Sequence, residues 1–468
     1  MMTLIRRDPR QIMSGEAGTR SVMALLCMVF LVALCVPQAN GQYFSYCESG
    51  SESDLTLNVG SHDEHIRRIN KKFEKYYYEW GRLPAELADE DIADVVGRLQ
   101  EYLGGLSNRS AAVVFYAFDD TFERQCTWLI NSSSVVSDVS SNINSKMFAR
   151  KSSGLLGALG VTRMAQARAS VRGVKPIDMD SGQDLQSMAV LLEINERLIP
   201  DKIAEVLHRE ETDTLIIVPV FGIGSFPFSL LRVEGELLVE RMSVLIAPSF
   251  QSILEEPRQA RRVFLDPIIV GDPCEEECYR DKKWIFKPLE GAQREAREVA
   301  QEINFDSPLI GRQATRARLE HELRNRPKVD LIYLATHGVA DADDPNDESF
   351  LLLADGRWTA RDISKVKLDN SPLVVMSACQ TGLGKDFGVG SIGLARAWEY
   401  AGASSVVMSL WNVDDNATEA LMTKFVSLSA KKPPDRALQE AMLQLRQEDK
   451  YSSPEYWAGF SVFGIPER

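Results

Sequence analysis

From Leu191 onward, short runs of unbroken hydrophobic, β-branched sequence alternate with segments of helical periodicity. A strand with one solvated face alternates polar and apolar residues, so a continuous apolar run must be buried on both faces. Such runs lie at Leu215 to Val220, Leu331 to Thr336, Leu373 to Ala378 and Ser404 to Leu410, and further strands are expected at Leu237 to Ile246 and Val263 to Val270, where Glu240-Arg241 and Asp266-Pro267 interrupt the apolar sequence. Helical spacing fills the intervals, from Leu191 to about Arg209 and at Leu289 to Ile303, Ala314 to Arg324, Ile392 to Ala401 and Ala417 to Leu428. The pattern predicts an α/β domain with a mostly parallel sheet covered by helices on both faces. With 468 residues, 44% of them hydrophobic, the chain can bury a sizeable core. No 34-residue helical repeat is visible.

Ligands and chemistry gather at the carboxyl ends of the strands in such a sheet. Two strand ends carry reactive residues. Asp330-Leu-Ile-Tyr-Leu-Ala-Thr-His337-Gly338 places an imidazole where one buried run stops, and Leu373-Val-Val-Met-Ser-Ala-Cys379 places a thiol at the equivalent point of another. Peptide hydrolysis by cysteine needs a thiolate, a histidine that carries the proton to the leaving amine, and donors for the oxyanion. His337 and Cys379 fill the first two roles, and the backbone N–H groups of Gly338 and Cys379 are the candidate oxyanion donors. Glycine at 338 admits close approach of a scissile carbonyl. Gly382, Gly384, Gly388, Gly390 and Gly393 follow the second strand. Lacking a Gly-Lys-Ser/Thr ending, they read as a loop bordering the site rather than a phosphate cradle. No cofactor and no metal are expected.

The cysteines are seven in number, and Cys27 and Cys35 fall in the N-terminal segment. Of the remaining five, Cys274 can pair with Cys278 and Cys47 with Cys126 in an oxidising compartment, which leaves Cys379 unpaired. Cys274-Glu-Glu-Glu-Cys278 lacks the second ligand pair that a zinc site needs. His62 and His65, beside Asp63 and Glu64, read as a solvated helix face.

Arg6, Arg7, Arg10 and Arg20 precede an uncharged apolar run from Val22 to Val36, followed by Pro37 and Ala39-Asn40-Gly41. That order predicts a secretory signal peptide over 1–41 and a secreted or periplasmic protein; an uncleaved N-terminal anchor is the alternative, with a run short of the ~20 residues that span a bilayer. Removing those four Arg, with Asp8 and Glu16, takes the net charge from −14 to −16. So acidic a surface argues against nucleic acid as a partner. A helical extension is expected over 42–105 and the main domain over 106–468, with a basic flexible insertion at 131–185. Within that insertion Val139 to Ile177 holds seven Lys or Arg and no Asp or Glu.

From about residue 111 to 465 the chain resembles a CHAT domain, a caspase-related peptidase family. The resemblance rests on Val218-Pro219 through Pro227-Phe228-Ser229-Leu230-Leu231, Gly271-Asp272-Pro273, Leu289 with Ala292 and Glu295, Ala335-Thr336-His337-Gly338 and Ser377-Ala378-Cys379-Gln380-Thr381-Gly382. It continues through Gly393-Leu394-Ala395-Arg396-Ala397, Ser409 to Asp415 and Tyr456-Trp457-Ala458-Gly459-Phe460. It implies a caspase-like α/β sandwich and the His-then-Cys order of separase, gingipain and legumain relatives. It also implies that the strand bearing Ser409-Leu410-Trp411 and the loop after it border the substrate cleft, making Trp411 and Asp414 candidate specificity residues. The other role open to Asp414 and Asp415 is capping the helix near Ala417. A narrow-specificity cysteine endopeptidase acting on protein or peptide, latent until cut or docked, is the expected function. A non-catalytic interaction module and a cysteine hydrolase on a non-peptide acyl group are the alternatives. Oligomeric state is left open.

Overall fold

The computed structural model describes residues 92–118, 124–141, 181–219, 226–247, 253–254, 264–274, 286, 288–341, 344–379, 389–411 and 414–466. The signal segment, the 61–91 stretch with His62 and His65, most of the basic insertion, Cys47, Cys278 and the glycines 382–388 lie outside them. The chain divides at Gly97. The first unit enters the description only as residues 92–97, the start of helix α1 (Ile92–Gly104); the second, Arg98–Arg468, holds everything that follows.

Fifteen strands are described in that second unit, and thirteen join one sheet in the order β12-β11-β10-β13-β14-β15-β7-β4-β1-β2-β3, with β8 and β9 attached beside β10. Its centre is parallel: β8 (Ile268–Gly271), β10 (Leu331–Val339), β13 (Leu373–Cys379) and β14 (Ser405–Ser409) run together, as do β1 (Ala111–Phe118), β4 (Thr214–Val218) and β7 (Ser243–Ile246). Strand β15 (Phe460–Gly464) joins the two groups, antiparallel to β14 and parallel to β7. The edges are antiparallel, β2 (Arg124–Asn131) with β3 (Val135–Ser141) on one side and β11 (Phe350–Leu353) with β12 (Gly356–Thr359) on the other. Strand β9 (Leu309–Ile310) pairs with β8, and β5 (Arg232–Val233) with β6 (Glu236–Leu237) forms a separate ribbon.

All five residues of β4 and all five of β14 are buried, as a sheet covered on both faces requires. The helices are α2 (Ser181–Leu198), α3 (Asp201–Arg209), α4 (Glu290–Glu302), α5 (Arg316–Asn325), α6 (Val389–Ala401), α7 (Asp415–Ser429) and α8 (Pro434–Arg446). Helix α4 packs on β8, β10 and α7, and α7 on α8.

Two close approaches fix α4. A Cβ on Gly271 would stand 2.6 Å from Ala296 Cβ, so only glycine lets the helix lie this near β8. Next to it, fully buried Asp272 accepts from Leu289 N at 2.7 Å and Cys274 N at 3.2 Å, tying the end of β8 to the start of α4. At the amino ends of β4 and β7, Asp435 accepts from Arg109 Nη1 and Ser243 Oγ, each at 2.6 Å, in a buried ion pair.

The structure differs from the sequence expectation in several places, and the helix expected from Leu191 to about Arg209 is two, α2 and α3, parted at Ile199-Pro200. Residues 135–141, placed in the flexible insertion for their serine content, form β3 and pair with β2, and α2 begins at Ser181 inside the same stretch. The strand expected over Leu237 to Ile246 is broken by a helical turn at Leu238–Arg241, closed where Leu237 N donates to Glu240 Oε2 at 2.8 Å. A side chain reaching back to the turn's first N–H outweighed the apolar residues on either side.

Candidate active site

Strand β10 exchanges neighbours along its length. It pairs with β8 up to Ala335, opposite Gly271, and with β11 from Gly338, opposite Leu351. His337 occupies the step between. On the other side the ladder with β13 runs to its last pair, His337 opposite Cys379, whereas the ladder between β13 and β14 stops at Met376. The pair thus stands beyond the β8 and β14 ladders at the carboxyl end of the sheet, where neighbouring strands are about 4.8 Å apart. The carboxyl ends of parallel strands are where ligands gather in sheets of this kind.

The imidazole of His337 is half-buried and lies against Phe286, ring centroids 4.8 Å apart and tilted by 41°. Phe286 meets Phe350 edge to face at 6.1 Å, and the Arg357 guanidinium covers Phe350 at 4.4 Å. Cys274 belongs to the same buried cluster, with Val339 and Leu352, and is disulfide-bonded. Cys278, the partner the sequence offers for it, lies outside the described residues. Gly338 is drawn into the ladder with β11.

Trp411 is 2% exposed and donates from Nε1 to the Glu455 carbonyl at 3.2 Å, so it braces the turn at Pro454–Trp457. Asp414 is the N-cap of α7: its Oδ1 accepts from Asn416 N and Ala417 N, both at 3.0 Å. Of the two roles open to it, capping is the one its geometry performs. Neighbouring Asp415 has its carboxyl pushed above the usual range, first by desolvation and then by Asp414.

Sequence reasoning about chemistry passed over a buried carboxyl on α4. Glu295 is 4% exposed and accepts a hydrogen bond from the hydroxyl of Tyr333, which is fully buried on β10. Burial pushes its carboxyl up to about 7, with Asp415 and Glu419 of α7 adding to the rise. The signal was in the sequence: Ala292, Ala296, Val299 and Ala300 form the apolar stripe of α4, and Glu295 falls within it. Among the described residues no group of three or more His, Cys, Asp or Glu is placed to hold a metal ion.

A model of the CHAT domain family matches residues 189–465. The chain is a CHAT domain protein. Over 308 residues this CHAT protein is 26% identical to tetratricopeptide repeat protein 28 of Homo sapiens, a match covering 55% of the chain and 12% of that protein. The Mus musculus protein of the same name is 25% identical over 306 residues, with the same coverage. The chain therefore spans a small part of the length of these relatives. Among solved structures, the Saccharomyces cerevisiae separase-securin complex resembles the CHAT protein with a TM-score of 0.55 at 11% identity, covering 86% of this chain and 33% of that one. At that identity the likeness concerns the fold alone, which is caspase-like: a largely parallel central sheet flanked by helices. No described helix is long and apolar enough to cross a membrane.

Proposed function

We propose that this CHAT protein is a cysteine-type peptidase in which Cys379 is the nucleophile and His337 the acid/base. What supports the reading is the last pair of the β10–β13 ladder, which sets these two residues opposite each other beyond the flanking ladders. In this scheme the Cys379 thiol gives its proton to His337, and the thiolate attacks the scissile carbonyl carbon. Negative charge then collects on the carbonyl oxygen, where the N–H groups of Gly338 and Cys379 serve as donors. Collapse breaks the C–N bond as His337 protonates the leaving amine, and a thioester remains. Water, deprotonated by His337, releases the carboxylate product and restores the thiol.

In this reading Trp411 acts as a buried wall of the cleft, and Asp414, with one carboxylate oxygen engaged in capping, biases the cleft toward basic residues. The basic 139–177 stretch is then a self-processing target, and intact mass after incubation tests it, with an uncut chain as the contrary result. An exported location accords with the disulfide at Cys274; fractionation that finds the chain with its N-terminus intact and Cys274 reduced would refute export. The central test incubates the wild type and C379A with a peptide library read by mass spectrometry. Loss of cleavage in C379A and H337A is expected, to similar degrees because members of one catalytic unit act non-additively. Equal cleavage by wild type and C379A refutes the assignment, and no cleavage by either leaves the non-catalytic interaction role or a hydrolase on a non-peptide acyl group in its place.

A further inference from the structure

The buried carboxyl of Glu295 has a use that follows from where its partners stand. Strand alternation puts residues 333, 335 and 337 of β10 on one face of the sheet, and the register sets 375, 377 and 379 of β13 beside them. Tyr333, the donor to Glu295, therefore lies two steps before His337 on that face, and Ser377 one step before Cys379. The Ser377 side chain is 5% exposed. Its hydroxyl is near enough to act on the protonation of both Glu295 and Tyr333, yet it makes no well-formed hydrogen bond in the described structure. Tyr333 donates to one carboxyl oxygen, and the Ser377 hydroxyl can donate to the ionised carboxyl or accept the proton of the neutral one.

No cation among the described residues faces Glu295 to offset the charged form; the Ser377 and Tyr333 hydroxyls favour it, against the larger effect of burial. From α7 the facing groups are Asp415 and Glu419, both anionic, and from β10 the neutral Tyr333. Arg294 on α4 itself is turned to Glu419 and Asn416. Strand β8, with sequence Ile-Ile-Val-Gly, presents no ionisable side chain.

We propose that Glu295, with Tyr333 and Ser377, is a buried positioning group beneath the His337–Cys379 pair, and that its ionisation shifts the pH range in which Cys379 is reactive. This rests on the peptidase reading for what the reactivity serves. Protonated, Glu295 clasps α4 to both strands that end in the pair. Ionised, it places an uncompensated negative charge below them, which disfavours a thiolate and favours an imidazolium; both titrations move to higher pH. Residues two apart on a strand are separated by ~6.6 Å, so the backbone of Ser377 stands about that far from that of Cys379. A unit charge at ~10 Å with an effective dielectric of about 20–40 corresponds to a shift on the order of 0.6–1.2 pH units.

The test is the pH profile of Cys379 alkylation by iodoacetamide, read on its own peptide by mass spectrometry in the full chain. Glu295→Gln copies the neutral acid, accepting from Tyr333 and donating to Ser377, so its profile is expected on the order of 0.6–1.2 units below that of the wild type. Superimposed profiles overturn the proposal. Should E295Q fail to fold, Tyr333→Phe removes the donor that favours the carboxylate, leaving Glu295 protonated to higher pH; the profile then moves toward lower pH, and an unmoved one overturns the proposal. H337A separates this from the peptidase reading. A profile changed by H337A and not by E295Q sinks the role of Glu295 alone, whereas the reverse sinks the dyad and leaves Glu295 acting on a lone thiol.

Discussion

Folding stability gives an independent measure of the same carboxyl. Glu295 has an ordinary value of 4.5 and is raised to about 7 in the fold, chiefly by burial. A group whose folded value is raised binds its proton more tightly in the native state than in the unfolded chain. Stability is therefore fully present below pH 4.5 and falls as pH climbs toward 7, where the native carboxyl ionises as well. The interval of about 2.5 units, at 1.36 kcal/mol each, amounts to about 3 kcal/mol. That is a large fraction of the ~5–15 kcal/mol that holds a typical domain together. Glu295→Gln removes the titration and keeps both hydrogen-bonding positions. The difference in unfolding free energy, E295Q minus wild type, is expected to rise by about 3 kcal/mol between pH 4 and pH 8. Urea denaturation followed by circular dichroism across that range supplies it. A constant difference would falsify the view that Glu295 is buried without a counter-charge, since other carboxyls titrate equally in both proteins and cancel.

Asp435→Ala leaves the Arg109 guanidinium, 5% exposed in its ion pair, buried and unmatched, at a cost of about 3–5 kcal/mol in denaturant midpoint experiments; a loss below about 1 kcal/mol would mean that the arginine finds solvent. Gly271→Ala drives a methyl to 2.6 Å from Ala296 Cβ and is expected to cost about 1–3 kcal/mol by overpacking, so an unchanged thermal midpoint would show that α4 can retreat from β8. Asp414→Ala forfeits the cap of α7 for about 1 kcal/mol, while Asp414→Asn keeps the cap and removes the charge. If Asp414 biases the cleft, D414N retains stability and loses preference for basic residues in the peptide library; retained preference refutes that role.

The parallel centre of the sheet was legible because burial on both faces leaves one signature, unbroken apolar sequence, and the runs ending at His337 and Cys379 carry it. The antiparallel edges were not. Strand β3 reads Val-Val-Ser-Asp-Val-Ser-Ser, polar enough to pass for a loop, and its place comes from pairing with β2. Trp411 shows a different limit. The sequence marks the indole by its neighbours and not by what holds it, which is a hydrogen bond to the Glu455 carbonyl across 44 residues of chain.

Glu295 was visible as a letter in a motif and invisible as chemistry, because a carboxyl in an apolar helical stripe acquires meaning only from the strands it lands on. Those strands are the ones that end in His337 and Cys379, and the approach that brings α4 onto them depends on Gly271 and Asp272 at the end of β8. The Gly-Asp-Pro turn, the Glu-bearing helix and the two reactive strand ends therefore belong to one mechanical unit. Adding bulk at Gly271 should move the pH dependence of Cys379 reactivity as well as stability, because displacing α4 withdraws Glu295 from Tyr333 and Ser377. A G271A protein that loses stability but keeps the wild-type alkylation profile would separate packing from positioning, and would place the control of Cys379 elsewhere than on this helix.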